Sequence, residues 1–305
     1  MDTNRAIIET RSLSFAIGKT QILTDVNLSV PQGCIYGFLG PNGAGKTTLI
    51  RILLNLFNAG SNKVFLFGQE ATHNRVDTLQ RIGRFVEQPS LYGHLTGAEN
   101  LTLAQQYYRA APSRVKEVLN MVGMSEYANR KVKAYSMGMR QRIAIGQALI
   151  HDPELLILDE PTNGLDPNGI KEIRELLVSL NKEHGKTIFV SSHMLAEIEK
   201  MCTHVGLIHH GRVLYQGVIE KLPTMAESRL EVKVQDVARA QTILKRQGLE
   251  VSHNHNSTLS MPIEGERQIA AVNRFLVEES IEVYGLTLYQ HNLEDVFISL
   301  TNDNQ

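Results

Sequence analysis

Along the first thirty residues, apolar and polar positions alternate. Ile7, Leu13 and Phe15 lead to a turn at Gly18-Lys19, and Ile22, Val26, Leu28 and Val30 follow it. A period of two marks strands with one buried face, so residues 6–30 read as strands around a turn. After Pro31-Gln32-Gly33 the pattern changes. Residues 34–39, 155–158 and 187–191 are short, nearly unbroken apolar runs, as expected of parallel strands buried on both faces. Helical spacing lies between them. Residues 46–57 are apolar nearly all round, which predicts a helix buried against a sheet, and residues 64–68 return as a strand. Helices are predicted over 98–108, 112–122, 140–150 and 167–184, and a hairpin over 205–215 turning at His210-Gly211. Residues 1–222 therefore read as one α/β domain with a parallel sheet, an antiparallel β subdomain and a helical insertion at about 90–150.

Beyond Leu222-Pro223 the pattern restarts. A strand at 230–234, a helix at 237–246, strands at 249–252 and 258–261, a helix at 267–278 and a strand at 281–288 follow in order. That order predicts a small ferredoxin-like α+β domain over residues 223–305. His253 and His255 fall in its polar turn, where two histidines read as solvated and not as a metal site.

Length and composition set bounds. A chain of 305 residues accommodates one large and one small domain. Its 31 basic residues nearly balance 32 acidic ones, so the electrostatic footprint of a nucleic-acid binder is missing and no nucleic-acid partner is expected. Two cysteines, Cys34 and Cys202, suit reduced thiols in a cytosolic protein. Met1 to Arg5 lack the basic-then-apolar pattern of a signal peptide, and no apolar run approaches the length that crosses a bilayer. A membrane role is expected to come through a partner.

The chemistry begins at Gly40-Pro41-Asn42-Gly43-Ala44-Gly45-Lys46-Thr47-Thr48. An apolar strand precedes this stretch and a helix follows, which is the setting a phosphate-binding loop needs. Glycines let successive N–H groups converge on phosphate oxygens, and the helix N-terminus adds its positive end. Lys46 can reach the β- and γ-phosphates, and the Thr47 hydroxyl can ligate Mg²⁺. Far along the chain, the strand at 155–158 ends in Asp159-Glu160. In this fold class such a strand presents its acids beside the phosphate loop. Asp159 then holds Mg²⁺, directly or through water, and Glu160 is the general base for the attacking water.

Together with Tyr135-Ser136-Met137-Gly138-Met139-Arg140-Gln141-Arg142, Asp166 and Ser191-Ser192-His193, these motifs resemble the ATP-binding subunits of ABC transporters over residues 5–220. The resemblance implies hydrolysis of ATP with Mg²⁺ as cofactor. It also implies two such subunits paired head to tail, each ATP held between one phosphate loop and the other subunit's Ser136 and Gly138. Asp166 then falls in the loop that communicates across the dimer, and His193 contacts the γ-phosphate. The last segment, Leu293-Glu294-Asp295-Val296-Phe297, is similar to the final helix of drug- and peptide-exporter ATPases. The implied site is peripheral, on the cytoplasmic face of the cell membrane, through a transmembrane permease. In this family the partner's coupling helix docks near residues 91–108, where Leu91, Tyr92, Leu95, Leu101 and Leu103 supply apolar surface.

The chain departs from the family pattern in several places. Met137 and Met139 replace the usual Gly and Gln, a form associated with drug and peptide exporters. Ile17 stands where an aromatic residue usually stacks on adenine, leaving aliphatic packing or Phe15 for that role. Glu87 stands at the glutamine of the Q-loop, where it offers Mg²⁺ a carboxylate, or else Gln88 fills the role in a shifted register. A glutamate there is similar to bacitracin-type exporters and to ATPases that protect producers from lantibiotics. Two other classes stand beside the exporter reading. A soluble ABC ATPase of DNA repair or translation usually has tandem units or long coiled coils. A P-loop kinase or GTPase has no use for Ser136 and His193. A homodimer is favoured over a heterodimer because the catalytic motifs are complete.

Overall fold

The computed structural model describes residues 6–73, 75–86, 90–221, 229–254, 258–263 and 265–289. The chain divides into two compact units, Met1–Ile219 and Glu220–Gln305. The first runs β1 (Ala6–Ile17), β2 (Thr20–Pro31), β3 (Ile35–Leu39), α1 (Lys46–Leu53), β4 (Val64–Leu66), β5 (Gln69–Glu70), α2 (Arg75–Gln80) and β6 (Ile82–Phe85). Then come α3 (Gly97–Tyr108), α4 (Ser113–Met121), α5 (Met137–Leu149), β7 (Leu155–Asp159) and α6 (Pro167–Lys182). It ends with β8 (Thr187–Ser192), α7 (Leu195–Met201), β9 (His204–His209) and β10 (Arg212–Val218).

Two sheets form. One has the order β2-β1-β4-β5 and is antiparallel. The other has the order β10-β9-β3-β8-β7-β6, parallel except for the β9–β10 hairpin. The three apolar runs are its centre: every residue of β3, β7 and β8 is buried. Helix α1 presents Leu49, Ile50, Ile52 and Leu53 to the core that both sheets share. The insertion is the helical group α3, α4 and α5. Thr96 and Glu99 form a capping box at the start of α3, a spacing visible in the sequence that fixes where the group begins.

Three expectations need correction, and one strand was not foreseen. The helix after the phosphate loop stops at Leu53, not at residue 57. Asn55 takes φ +56°, and Leu56 and Asn55 N–H groups donate to Arg51 O and Ile52 O, a Schellman ending that apolar periodicity cannot reveal. The strand at 64–68 ends at Leu66, because Phe67 and Gly68 both take positive φ and turn into β5. Phe67 is buried there, with the Arg81 guanidinium 3.7 Å from its ring centroid. Ile82–Phe85 is an edge strand of the main sheet, paired with β7. Of the two histidines placed in a turn, His253 lies in strand β12 (Ser252–Asn254); His255 is outside the described residues, as are Leu222-Pro223 and the segment from Leu293 to Phe297.

The second unit begins with β11 (Arg229–Val234) and α8 (Val237–Arg246), has β12 next, and continues through β13 (Thr258–Pro262), α9 (Glu266–Glu278) and β14 (Val283–Tyr289). Its antiparallel order β12-β13-β11-β14 is ferredoxin-like. Alternate residues Leu230, Val232 and Val234 pack with Ala240, Leu244, Val272 and Leu276 of the helices.

Asn55 also donates from Nδ2 to Ala71 O at 2.6 Å, tying the end of α1 to the turn after β5. Asn55→Ala removes that bond and replaces a residue that tolerates the left-handed region with one that tolerates it less. Chemical denaturation is expected to show a loss of about 1–2 kcal/mol.

Candidate functional site

Sheet order gathers the predicted residues. β3, β8 and β7 are neighbours in parallel, with Leu39 beside Ser192 and Asp159 beside Ser191. Their carboxyl ends therefore bring the phosphate loop, His193 and Asp159-Glu160 to one edge, where ligands of open α/β sheets bind.

The loop is backed by protein and open at its tip. A Cβ on Gly40 would lie 2.4 Å from Ile208 O, and one on Gly45 would lie 2.7 Å from Leu23, so both positions require glycine. Gly45 has φ +107°, and Ala44 O accepts from Gly211 N–H at 3.1 Å. Pro41, Asn42 and Gly43 are exposed, while Thr47 and Thr48 are half-buried on the first turn of α1. No side chain caps that turn, which leaves its N–H groups directed at the loop. Lys46 is 5% exposed. Its ammonium donates to Gly40 O at 2.7 Å and Pro41 O at 3.1 Å, and lies 3.3 Å from Glu160 Oε1.

The acids are held differently. Asp159 is buried and accepts from Ser191 Oγ at 2.6 Å, and Ser191 Oγ accepts in turn from Glu160 N–H at 2.9 Å. Glu160 has φ +46°. Its other oxygen, Oε2, is 3.0 Å from His193 Nδ1, and since a carboxylate only accepts, that nitrogen carries the proton. Glu160 thus stands between Lys46 and His193. Ser191 was not singled out from the sequence as a site residue. The available signal was a pair of serines ending an otherwise apolar strand, where buried hydroxyls need partners.

Other predicted residues stand apart from this cluster. Ser136 is exposed and caps α5 by accepting from Met139 N–H at 3.2 Å. Gly138 beside it has room for a side chain: among the described residues, its own helix aside, an added Cβ would come within 4.0 Å of Leu165. Asp166 caps α6 through Gly169 N–H at 3.2 Å. Glu87 and Gln88 lie outside the described residues. Phe15 is stacked on Phe57 with ring centroids 5.4 Å apart and packs on the core, so its ring is already engaged within the fold. Ile17 is 52% exposed, which leaves the aliphatic option at the adenine position. Cys34 and Cys202 are free and buried; burial pushes the Cys34 thiol up to about 12 and raises Cys202 as well, so neither is a nucleophile.

Among the described residues no helix is long and apolar enough to cross a membrane. The ABC transporter family model matches residues 23–163. The bacitracin transport ATP-binding protein BcrA of Bacillus licheniformis is 41% identical, over 96% of this chain and 97% of that one. The lantibiotic transport ATP-binding protein SrtF of Streptococcus pyogenes is 39% identical, over 69% of this chain and 90% of that one. A solved dimeric ATP-binding cassette in a post-hydrolysis state, bound to ADP and phosphate, superposes with TM-score 0.61 at 27% identity, covering 70% of this chain and 98% of that one. With identity at that level across nearly all of both sequences, this chain belongs to the ATP-binding subunits of ABC transporters, which hydrolyse ATP.

Proposed function

We propose that this subunit powers an exporter of antimicrobial peptides or drugs, and that Glu160 is its general base. The observation that carries the catalytic reading is the placement of Glu160 between Lys46 and His193 at the mouth of the phosphate loop. In use, Lys46 leaves Glu160 Oε1 and the loop carbonyls for the β- and γ-phosphates. Glu160 then takes a proton from the attacking water, while His193 holds the opposite carboxylate oxygen and faces the γ-phosphate. The Thr47 hydroxyl and the Asp159 carboxylate are hard oxygen donors of the kind Mg²⁺ takes, and they would hold it with phosphate oxygens and water. Bound there, Mg²⁺ would offset charge on the β- and γ-phosphates.

The site is proposed to be complete only in a dimer. Ser136 and Gly138 lie at the first turn of α5, where the Ser136 hydroxyl caps Met139 N–H and the other N–H groups suit an anion, and they would meet the nucleotide of a second copy. Residues 1–222 form the ATP-binding domain in this reading, and residues 223–305 an accessory domain that steadies the dimer or regulates it.

The permease is proposed to dock at a groove of about 350 Å³ lined by Leu56, Phe85, Val86, Tyr107, Tyr108 and Ala148. Leu56 and Tyr107 are 57% and 77% exposed, too much apolar surface for a region with no partner. Tyr92 and Leu103 add exposed surface nearby, whereas Leu101 is core. Through this groove the subunit would sit on the cytoplasmic face of the membrane. The names of the two transport relatives support a peptide antibiotic as cargo.

Two outcomes test these readings. Glu160→Gln should keep ATP binding while turnover falls about 10²–10⁴-fold, and turnover above roughly a hundredth of wild type would contradict the base assignment. Tyr107→Asp should leave the isolated ATPase rate within about twofold but weaken co-purification with the membrane partner by roughly tenfold or more, as for an interface anchor. Unchanged co-purification would remove the groove from the account.

A further inference from the structure

Glu160 is held in a backbone conformation that residues with side chains avoid. Its φ is +46°, and it precedes Pro161, whose ring steers the residue before it towards extended geometry. Such a residue persists only where its surroundings over-determine it. Three buried tethers do so. On one side Glu160 N–H donates to Ser191 Oγ at 2.9 Å. On the other, Thr162 Oγ1 donates to Glu197 Oε2 at 2.5 Å, and Pro161 O accepts from Gln141 Nε2 at 2.7 Å. Ser191, Glu197 and Gln141 are 0%, 5% and 3% exposed.

The tethers differ in origin. Ser191 belongs to β8, next to the strand that carries Glu160, and Glu197 belongs to α7, which follows His193 directly. Gln141 comes from the helical insertion. It sits on α5, one turn after Gly138, on the helix whose first turn holds the segment Ser136 to Met139. Its Oε1 has no partner among the described residues. An apolar side chain of the same shape would remove the idle acceptor but leave Pro161 O without its donor, so the amide is retained for that one carbonyl. What Gln141 adds is a short link from α5 to the carbonyl of Pro161, the residue after Glu160.

We propose that Gln141 is a positioning residue for hydrolysis, one that ties the backbone of Glu160 to the helix carrying Ser136 and Gly138. Seating that helix against a second copy's nucleotide then sets the carboxylate of its own copy, so that the two sites are mechanically joined. The inference rests on the proposed roles of Glu160 and Ser136.

The test uses the full chain. Gln141→Met keeps length and helix preference but has no N–H to donate. Gln141→Leu also lacks any donor and keeps a strong helix preference. Turnover is measured with KM for ATP, thermal midpoint and ATP-driven association of two copies. The expected result is a kcat about 100-fold lower in both, as for a catalytic group displaced by about an ångström. KM and association should stay near wild type and the midpoint should fall by no more than a few degrees, as the loss of one buried hydrogen bond allows, a split that a merely structural role would not give. Turnover within about threefold of wild type in either folded variant overturns the proposal. So does loss of folding or of ATP binding in both, which assigns the glutamine to stability alone. Glu160→Gln run alongside separates the layers. If it still turns over, the base assignment fails; if it is inactive while the Gln141 variants are active, only the role of Gln141 fails.

Discussion

Lys46 carries a positive charge to a place where only 5% of the residue meets solvent, and the site is arranged around its neutralisation. A buried ammonium without oxygen partners would be costly enough to drive rearrangement. Gly40 O, Pro41 O and Glu160 Oε1 supply those partners, and each is set by a different part of the fold. The loop carbonyls depend on β3 and on the close approach of β9 to Gly40. The carboxylate depends on β7, on Ser191 and on the turn after Glu160. Phosphate oxygens offer the same ammonium stronger partners, so nucleotide binding redistributes charge among groups already in place. In the proposed mechanism, that exchange leaves Glu160 free to act on water.

The order of strands explains why these groups meet. Residues 40–46, 159–160 and 193 are far apart in the chain but follow three neighbouring parallel strands. A register error of one residue in β7 would exchange Asp159 and Glu160, since side chains alternate along a strand. Full burial of β3, β7 and β8 resists that slip. Packing in the core therefore protects the chemistry at its edge.

Much of this was legible in the sequence. Glycine spacing marked the phosphate loop, unbroken apolar runs marked the central strands, and paired acids marked the end of β7. What escaped depended on tertiary partners. Asn55 and Phe67 stop their elements through left-handed backbone that apolar periodicity does not encode. The edge strand at Ile82–Phe85 is short and carries Gly83 and Arg84, so no clean alternation announced it. The positive φ of Glu160 is likewise silent in the sequence, and with it the need for Ser191, Gln141 and Glu197. The traces of that need were the serine pair that ends β8 and a polar residue on the buried face of a helix, at Gln141.

The central claim is that one copy holds only half of each nucleotide site. The most direct measurement is a crystal structure of the Glu160→Gln chain with Mg²⁺ and ATP. The account predicts each ATP between the phosphate loop of one copy and Ser136 and Gly138 of its partner, with Lys46 moved from residue 160 to the phosphates. An ATP enclosed by residues of a single copy, with Ser136 and Gly138 facing solvent, would contradict it.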